Sequence, residues 1–572
     1  YVVSLRTRSV GRFYAAFLLM VLSAAGVLLS GDLLLFFVAW EFMSVPAFLL
    51  IVHEDRQQAN LRAGLNYLIL NGIGNIGMLT ALLLIYPHTA SFSFVDVRQA
   101  LGGMMLASPW LANLVLGLMV LPFATKAGLF PTGDWAPGAY SAAPCPGAAL
   151  LSGVVSKLGA YGALRIFLWL VPLGAAPSGW LETWGMILAT WGALSIVLGS
   201  SAAVVSNDGK RLLAYSSISQ SGYIFLGIGV AVTALEVAPA VATLALVGCA
   251  VHIVVDALHK SSLFLVIGSV TYRTGTRNLN KLGGLERLMP GTTLVALAGA
   301  ASLAGLPLTG AFVSKWLLIQ SALWLGRSSP LFLAYVLAAL VGSVLAVAYG
   351  FKLVGTIFLG PESKLVSETA EDKLPSGMRW SQAALAIGSF VIGLAPALLI
   401  GPFTRALPQS LAGVAAQAFG DVSLTRIVPA AQSVPIASMS PLWLLGLLVV
   451  GVGGGWLWSR SGGAKVRATE PWACGAAITP DELRPRGAGY FWALSEYLER
   501  IYAEIGVPTF AAPEQRWQTL ESDRWAFDRM SEYCWAIARR FARLQSGLTQ
   551  RYVLWQLLGL AIIAGIVLYM SR

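Results

Sequence analysis

The stretch EVAPAVATLALVGCAVHIVVDALHKSSLFLVIGSVT, residues 236–271, decides the fold. A helix that crosses the hydrocarbon core of a bilayer needs roughly 20 apolar residues, and this run exceeds that. It lacks the strict alternation of an outer-membrane barrel strand. In hydrocarbon a helix satisfies every backbone group within its own segment, so the run is read as a spanning helix. Beyond Glu236 its ionisable groups are His252, Asp256, His259 and Lys260, all far from either end. Charge at such depth is costly and is tolerated mainly where it faces a polar interior. His252, Asp256 and Lys260 stand at i, i+4 and i+8, one helical stripe about 12 Å long, with His259 beside it. Groups at this spacing pass protons through short water bridges, and each changes charge when a neighbour does. The stripe reads as a proton relay.

The rest of the chain has the same character. Of 572 residues, 57% are hydrophobic and 11% charged, with a mean hydropathy of +0.72; soluble proteins carry about 25% charged residues. Thirteen apolar runs are separated by charged or Pro/Gly-rich breaks, near 11–29, 31–52, 61–86, 109–130, 145–171, 182–205, 212–233, 236–271, 291–320, 331–359, 380–402, 442–459 and 552–570. The chain is an all-α polytopic membrane protein. Sorting the 38 Lys and Arg residues by alternate loops places 27 in the set 1–12, 53–62, 131–144, 206–211, 272–290, 360–379 and 460–551, and 5 in the opposite set. The remaining 6 lie within spans, and without the long 460–551 segment the ratio is still 14 to 5. The positive-inside rule assigns the richer set to the cytoplasm. Arg6, Arg8 and Arg12 lead straight into a run of full spanning length, which reads as a juxtamembrane flank and not as a cleavable signal peptide.

Several function classes are excluded. The net charge of +11 is dispersed over loops and forms no basic domain for nucleic acid. Cys145, Cys249, Cys474 and Cys534 are far apart, with no CxxC spacing, so no disulfide framework, zinc site or iron–sulfur site is encoded. No nucleophile/base set, phosphate loop or metal-ligand spacing marks an independent enzyme. Electron chemistry, if the function uses it, belongs to another chain.

More lone charges lie at membrane depth. Glu41 is alone in Leu33 to Val52, Lys126 between Arg98 and Asp134, Lys157 between Asp134 and Arg165, and Lys315 between Arg287 and Arg327. Helix breakers accompany two of them: Pro122, Gly128 and Pro131 flank Lys126, while Gly305, Pro307 and Gly310 precede Lys315. Paired interruptions in two parts of a membrane chain point to a transport pathway, because a broken helix frees backbone groups at mid-membrane. Each feature also has a plainer reading. Buried ion pairs fix helix packing, Lys352 stands close enough to the 360–379 loop to snorkel, and Arg165 and Asp32 read as anchors near span ends. Gly72, Gly74 and Gly77 read as close helix packing.

The segment 460–551 is polar and rich in Trp, Tyr and Arg. Within it Met530, Cys534, Ile537, Phe541 and Leu544 form an apolar stripe, with Arg529, Arg539, Arg540 and Arg543 off it. This amphipathic helix suits a membrane surface or partner helices, with Trp525 and Trp535 as anchors, and equally a solvated tail.

Several motifs carry a resemblance. Lys126-Ala-Gly-Leu-Phe-Pro131 through Trp135, Pro137 and Pro144 to Ser156-Lys157-Leu-Gly-Ala-Tyr161-Gly-Ala-Leu-Arg165 resembles the signature of antiporter-like membrane subunits. These are shared by respiratory complex I, Mrp-type cation/proton antiporters and membrane-bound nickel–iron hydrogenases. Trp40-Glu41, Lys210-Arg211-Leu-Leu-Ala-Tyr-Ser-Ser217, His252 with Lys260-Ser-Ser-Leu-Phe, and Gly305-Leu-Pro307 with Phe312-Val-Ser-Lys315 add to it, over about residues 10–400. Beyond residue 440, Glu470-Pro-Trp-Ala-Cys474-Gly475 and Arg539-Arg-Phe-Ala-Arg-Leu-Gln545-Ser-Gly547 look most like the large antiporter-like subunit of formate hydrogenlyase and hydrogenase-4 type complexes. Cys474 itself reads as packing.

The resemblance implies two inverted five-helix repeats with broken helices, a first half over residues 1–171 and a second over 172–359. Additional transmembrane helices then follow over 360–459, and the amphipathic segment with a final transmembrane helix over 460–572. The family normally carries three further helices upstream. Glu41 and Lys126 would be the acid/lysine pair of the first half-channel, Lys157 the central lysine, His252 and Lys260 the central relay and Lys315 the terminal lysine; Asp256 belongs to the same row, and His259 and Lys352 are further candidates. The chain departs from relatives at Gly133, Gln220 and Asp256, where His is common. The expected function is proton translocation in a membrane-bound redox complex of a prokaryotic inner membrane. This chain would hold no metal or cofactor, with iron–sulfur clusters and NiFe or other redox centres on partner subunits. Its partners would be other membrane subunits, a peripheral redox arm and the lipid bilayer. The alternatives are an Mrp-type Na+/H+ antiporter subunit and a non-conducting membrane scaffold.

Overall fold

The computed structural model describes residues 10–461, with interruptions at 55–56, 173, 175, 370–373, 409–410, 412–413, 415–417, 424–425 and 430–438, together with 484–492 and 496. Every element below belongs to one compact unit that ends at residue 495. The amphipathic stripe expected at 530–544, the span at 552–570, Cys474 and Cys534 lie outside the described residues.

Spanning helices account for the architecture. They are α1 (Val10–Leu29), α2 (Leu33–Ile51), α3 (Gln58–Thr89), the short α4 (Phe94–Ala107), α5 (Pro109–Ala127) and the short α6 (Trp135–Ala142). Then come α7 (Cys145–Leu170, which includes π-helical turns at Leu151–Val155 and Ile166–Leu170), α8 (Trp180–Val205), α9 (Gly209–Val237) and α10 (Pro239–Thr274). The series continues with α11 (Pro290–Ala304), α12 (Gly310–Leu325), α13 (Pro330–Ile357), the single turn α14 (Lys364–Ser367), α15 (Ser376–Leu394), α16 (Ala397–Ala406) and α17 (Pro441–Ser461). Ten of these are long and apolar enough to cross a membrane, or eleven when α15 and α16, bent by 78°, count as one span. With α11 and α12 taken as one interrupted span, twelve of the thirteen expected runs are present. A hairpin of Phe419–Ser423 with Arg426–Pro429 is the one sheet among the described residues. The sequence reading missed α4, a helix too short to span.

Outer helices are apolar on both faces, as lipid requires. On α1, Leu18, Leu22 and Leu29 are exposed while Phe13, Met20 and Val27 are buried. At the centre, the core of α9 is wholly enclosed by protein. Its tight fit against α8 follows from glycines seven residues apart, Gly185, Gly192 and Gly199 on one helix and Gly222 and Gly229 on the other. A methyl group at Gly192 would lie 2.6 Å from Gly222 O, and one at Gly185 would lie 2.7 Å from Gly229 O. Small residues let backbones approach in this way within membranes. Of the three α3 glycines, Gly74 packs on Pro122 and Gly77 on Leu118, whereas Gly72 meets nothing within 4 Å.

Loops assigned to one side by charge do meet one another. Arg277 pairs with Asp208 at 2.6 Å and donates to Ser141 O at 2.6 Å, while Lys210 donates to Ala143 O at 2.7 Å. Glu286 N donates to Phe358 O at 3.0 Å and Ser363 N to Gly283 O at 3.3 Å. Arg484 donates to Asn280 O at 2.9 Å. At the opposite end Leu33 N donates to Phe92 O at 2.9 Å. The loops 131–144, 206–211, 272–290 and 360–379, grouped by their basic residues in the sequence, therefore share one end of the fold.

Candidate functional site

Two spans break in the same way. α5 and α11 each begin with Pro at the first turn, and each ends on a glycine in the left-handed region, Gly128 (φ 83°) and Gly305 (φ 78°). Gly128 N bonds Thr125 O and Leu129 N bonds Ala124 O, both at 3.0 Å; Gly305 N bonds Ser302 O and Leu306 N bonds Ala301 O, both at 2.9 Å. This paired closure is a Schellman turn, which needs positive φ and so favours glycine. Lys126 precedes its glycine by two residues, and Leu303 occupies the matching place before Gly305. The lysine of the second break, Lys315, lies on α12, but its ammonium reaches back to Leu303 O at 3.2 Å and Ala304 O at 3.4 Å.

The surroundings of the two ammonium groups differ. Lys126 Nζ donates to Ser44 Oγ at 3.2 Å and Tyr67 OH at 3.3 Å. It lies 5.2 Å from the Trp40 ring and 5.3 Å from the Tyr67 ring, within range of cation–π attraction. Its own helix end is closed by Trp135, whose Nε1 donates to Thr125 O at 2.8 Å. Glu41, half-buried on α2, feels the Lys126 charge, but no ion pair within 4.0 Å joins the two among the described residues. The expected acid/lysine pair is thus a separated one. Lys315 Nζ lies 4.6 Å from the Tyr223 ring, and that phenol is anchored on Ala339 O at 2.5 Å and Ser343 Oγ at 2.8 Å.

Between the breaks, Lys157 on α7 forms an ion pair with Asp256 Oδ2 on α10, and His259 Nε2 lies 3.0 Å from Asp256 Oδ1. These side chains are at most 5% exposed. The π-helical turn at Leu151–Val155 ends two residues before Lys157, and such bulges recur at functional sites. Sequence placed His252, Asp256 and Lys260 in a row along one helix; in the fold their side chains radiate to different neighbours. His252 Nδ1 meets Ser314 Oγ at 2.8 Å. Lys260 donates to Ser216 Oγ and to Leu213 O at 3.3 Å. His259 Nδ1 meets Ser302 Oγ at 3.3 Å, and Ser302 meets Ser389 Oγ at 2.7 Å. Asp256 therefore ties α10 to α7, and Ser302 carries the network to the broken helix α11.

Lys352 does not snorkel. It is 1% exposed and donates to Val204 O at 2.8 Å and Val205 O at 3.4 Å, the last carbonyls of α8. Asp32 is a helix cap, accepting from Leu35 N at 2.7 Å, and Arg165 lies against the Phe94 and Trp169 rings at 4.6 and 5.2 Å. Gln220, noted in the sequence as a departure, is fully buried, with its Nε2 3.5 Å from Leu303 O and 3.4 Å from Tyr349 OH. Sequence reasoning missed Trp135 as a cap, and also Ser302, Tyr223 and Tyr349. Their only sequence signal is polarity inside apolar runs. Buried polar atoms without a hydrogen-bond partner include His252 Nε2, Gln220 Oε1 and Ser221 Oγ. Such atoms are normally satisfied by internal water. No group of His, Cys, Asp and Glu suited to a metal occurs among the described residues.

Comparison with known proteins places this geometry. Residues 30–345 match the family described as NADH:quinone oxidoreductase/Mrp antiporter, TM. The chain is 31% identical over 496 residues to hydrogenase-4 component B of Escherichia coli, covering 84% of this chain and 70% of that protein. It is 32% identical over 397 residues to NADH-quinone oxidoreductase subunit N of Desulforudis audaxviator, covering 68% of this chain and 75% of that one. A chain of the membrane-bound sulfane sulfur reductase, an archaeal respiratory membrane complex, superposes with a TM-score of 0.75 at 26% identity, over 96% of this chain and 83% of that chain.

Proposed function

We propose a function from one premise: the chain belongs to the NADH:quinone oxidoreductase/Mrp antiporter transmembrane family. It moves protons across a prokaryotic cytoplasmic membrane as the antiporter-like subunit of a membrane-bound redox complex of the hydrogenase or complex I kind. The redox centres, iron–sulfur clusters and NiFe among them, belong to partner subunits.

The observation that carries this reading is the burial of six ionisable groups in one interior: Lys157, Asp256 and His259 in direct contact, His252 and Lys315 both beside the Tyr223 ring at 5.8 and 4.6 Å, and Lys260 one turn along α10 from Asp256. A buried ion pair contributes little stability compared with apolar packing of the same volume, so six ionisable groups in one sealed interior point to use and not to structural economy. Glu41 and Lys126 receive the driving signal. A charge change on a neighbouring subunit alters how strongly the separated Glu41 holds the Lys126 charge; burial disfavours the ammonium and a nearby carboxylate favours it. Release from Lys126 then passes through Lys157, which is paired with Asp256, and His259 on the other side of that carboxylate, to Lys260 and His252 and on to Lys315.

Substituting Lys126 or Lys315 with Ala in the native complex reconstituted in vesicles is expected to abolish coupled proton translocation while the subunits still co-purify. Undiminished translocation in assembled complex would contradict the reading. The family also contains Mrp antiporters, which favours a second reading as a Na+/H+ antiporter subunit. Sodium-dependent proton movement by vesicles that lack any redox module would select it.

A further inference from the structure

We infer that Lys315 has a second proton connection, separate from the Lys157–Lys260 assembly, running through Gln220, Tyr349 and Lys352 to the cytoplasmic end of the molecule. The inference rests on the proposed function and adds to it a route and a side of the membrane.

The route is contiguous at its inner end. Lys315 Nζ and Gln220 Nε2 share one acceptor, Leu303 O, at 3.2 and 3.5 Å, and the same Gln220 nitrogen lies 3.4 Å from Tyr349 OH. Gln220 and Tyr349 are both fully buried. Both bonds from Gln220 are long for N–H···O contacts, and its Oε1 has no partner. A buried carboxamide in that state calls for a water on its oxygen, and the same water can bridge towards the phenol. Ser221, the next residue, also has an unpartnered buried hydroxyl.

The outer end follows from helix geometry. Tyr349 and Lys352 are i and i+3 on α13, neighbours on one face. Lys352 Nζ is held by Val204 O and Val205 O, and α8 ends there, just before the 206–211 loop on the positively charged side. Counting 1.5 Å per residue from the helix ends on that side, Lys352 lies about 8 Å deep, Tyr349 about 12 Å and Gln220 about 16 Å. The three groups therefore descend in order from the cytoplasmic end to the break that holds Lys315.

In this route a proton leaves Lys352 Nζ for an adjacent water, crosses by hydroxyl and water hops past Tyr349, and is taken up by the free amine of Lys315; Lys352 is recharged from the cytoplasmic side. Gln220 exchanges no proton itself and is a positioning residue that holds the water. Lys352 as a mere cap for α8 is the competing explanation.

The test uses the native complex in vesicles, with proton translocation per electron pair as the readout. Tyr349→Phe removes one hydroxyl and leaves the Lys352 cap in place. It is expected to lower translocation about tenfold or more, and Gln220→Leu to do the same. Gln220→His, which keeps a hydrogen-bonding group, is expected to recover most of what Gln220→Leu loses. Unchanged translocation with Tyr349→Phe in assembled complex overturns the route. Lys126→Ala is measured alongside. If it abolishes translocation while Tyr349→Phe does not, the route alone falls; if it too has no effect, the functional reading falls with it. Should the variants fail to assemble, radiolytic hydroxylation of Tyr349 in the unaltered complex decides. Labelling of this buried ring supports an adjacent internal water, and absence of labelling overturns the route.

Discussion

The two broken helices share a design and differ in what closes it. Both end in a Schellman turn on a left-handed glycine, Gly128 or Gly305. At the first break the Thr125 carbonyl, already reached by Gly128 N in the turn, accepts a second bond from an uncharged donor, the Trp135 indole, and Lys126 is bound by hydroxyls and ring faces. At the second break Lys315 itself takes the freed carbonyls of Leu303 and Ala304. The difference teaches that a charge change on Lys126 leaves the carbonyls of its helix end untouched, whereas one on Lys315 alters the strength of the bonds that hold two of them. The first break suits a group that senses a neighbour's charge. At the second, gaining or losing a proton is coupled to the backbone of α11.

The centre that joins the two breaks should give the largest effect. Asp256→Asn leaves the buried Lys157 ammonium without its counter-charge, which is expected to cost about 3–5 kcal/mol. Thermal denaturation of the purified complex reads this loss, and adding Lys157→Met should restore much of the stability but none of the translocation. Full recovery of both would show that the pair is only structural. Next in size is the contrast between the lysines. Lys315→Met orphans the Ala304 carbonyl and leaves Leu303 O only the long bond from Gln220, whereas Lys126→Met orphans no backbone carbonyl, so the former is expected to be less stable by about 1–3 kcal/mol. Equal stabilities in the same denaturation series would remove the distinction between the breaks. The smallest effect is expected from Trp135→Phe, which removes the indole donor from Thr125 O while keeping an aromatic ring, at about 1 kcal/mol. Hydrogen exchange at the end of α5 should rise with that variant, and no change there would mean that the indole is not the cap.

Much of this was legible in the sequence because hydrocarbon makes charge conspicuous. Glu41, Lys126, Lys157 and Lys315 each stand alone in an apolar run, and four of the short loops that the basic residues grouped together, 131–144, 206–211, 272–290 and 360–379, meet at one end of the fold. What sequence could not supply was the third dimension. The partner of Asp256 is Lys157, 99 residues away on another helix, although the helical stripe suggested His252 and Lys260. Lys352 looked close enough to a loop to reach water, but the end of α8 offers its ammonium carbonyls inside the protein. The seven-residue glycine spacing on α8 and α9 is present in the sequence, yet only the packed pair shows what it serves. Trp135 looked like part of a loop, because Pro131 and Gly133 interrupt the apolar pattern before it.

The most direct measurement is a map of the native complex fine enough to place ordered water. A connected file of waters touching Lys126, Lys157, His252 Nε2 and Lys315 is the expected result. Dry packing around each of these groups, with no water between the stations, would contradict proton transport through this chain.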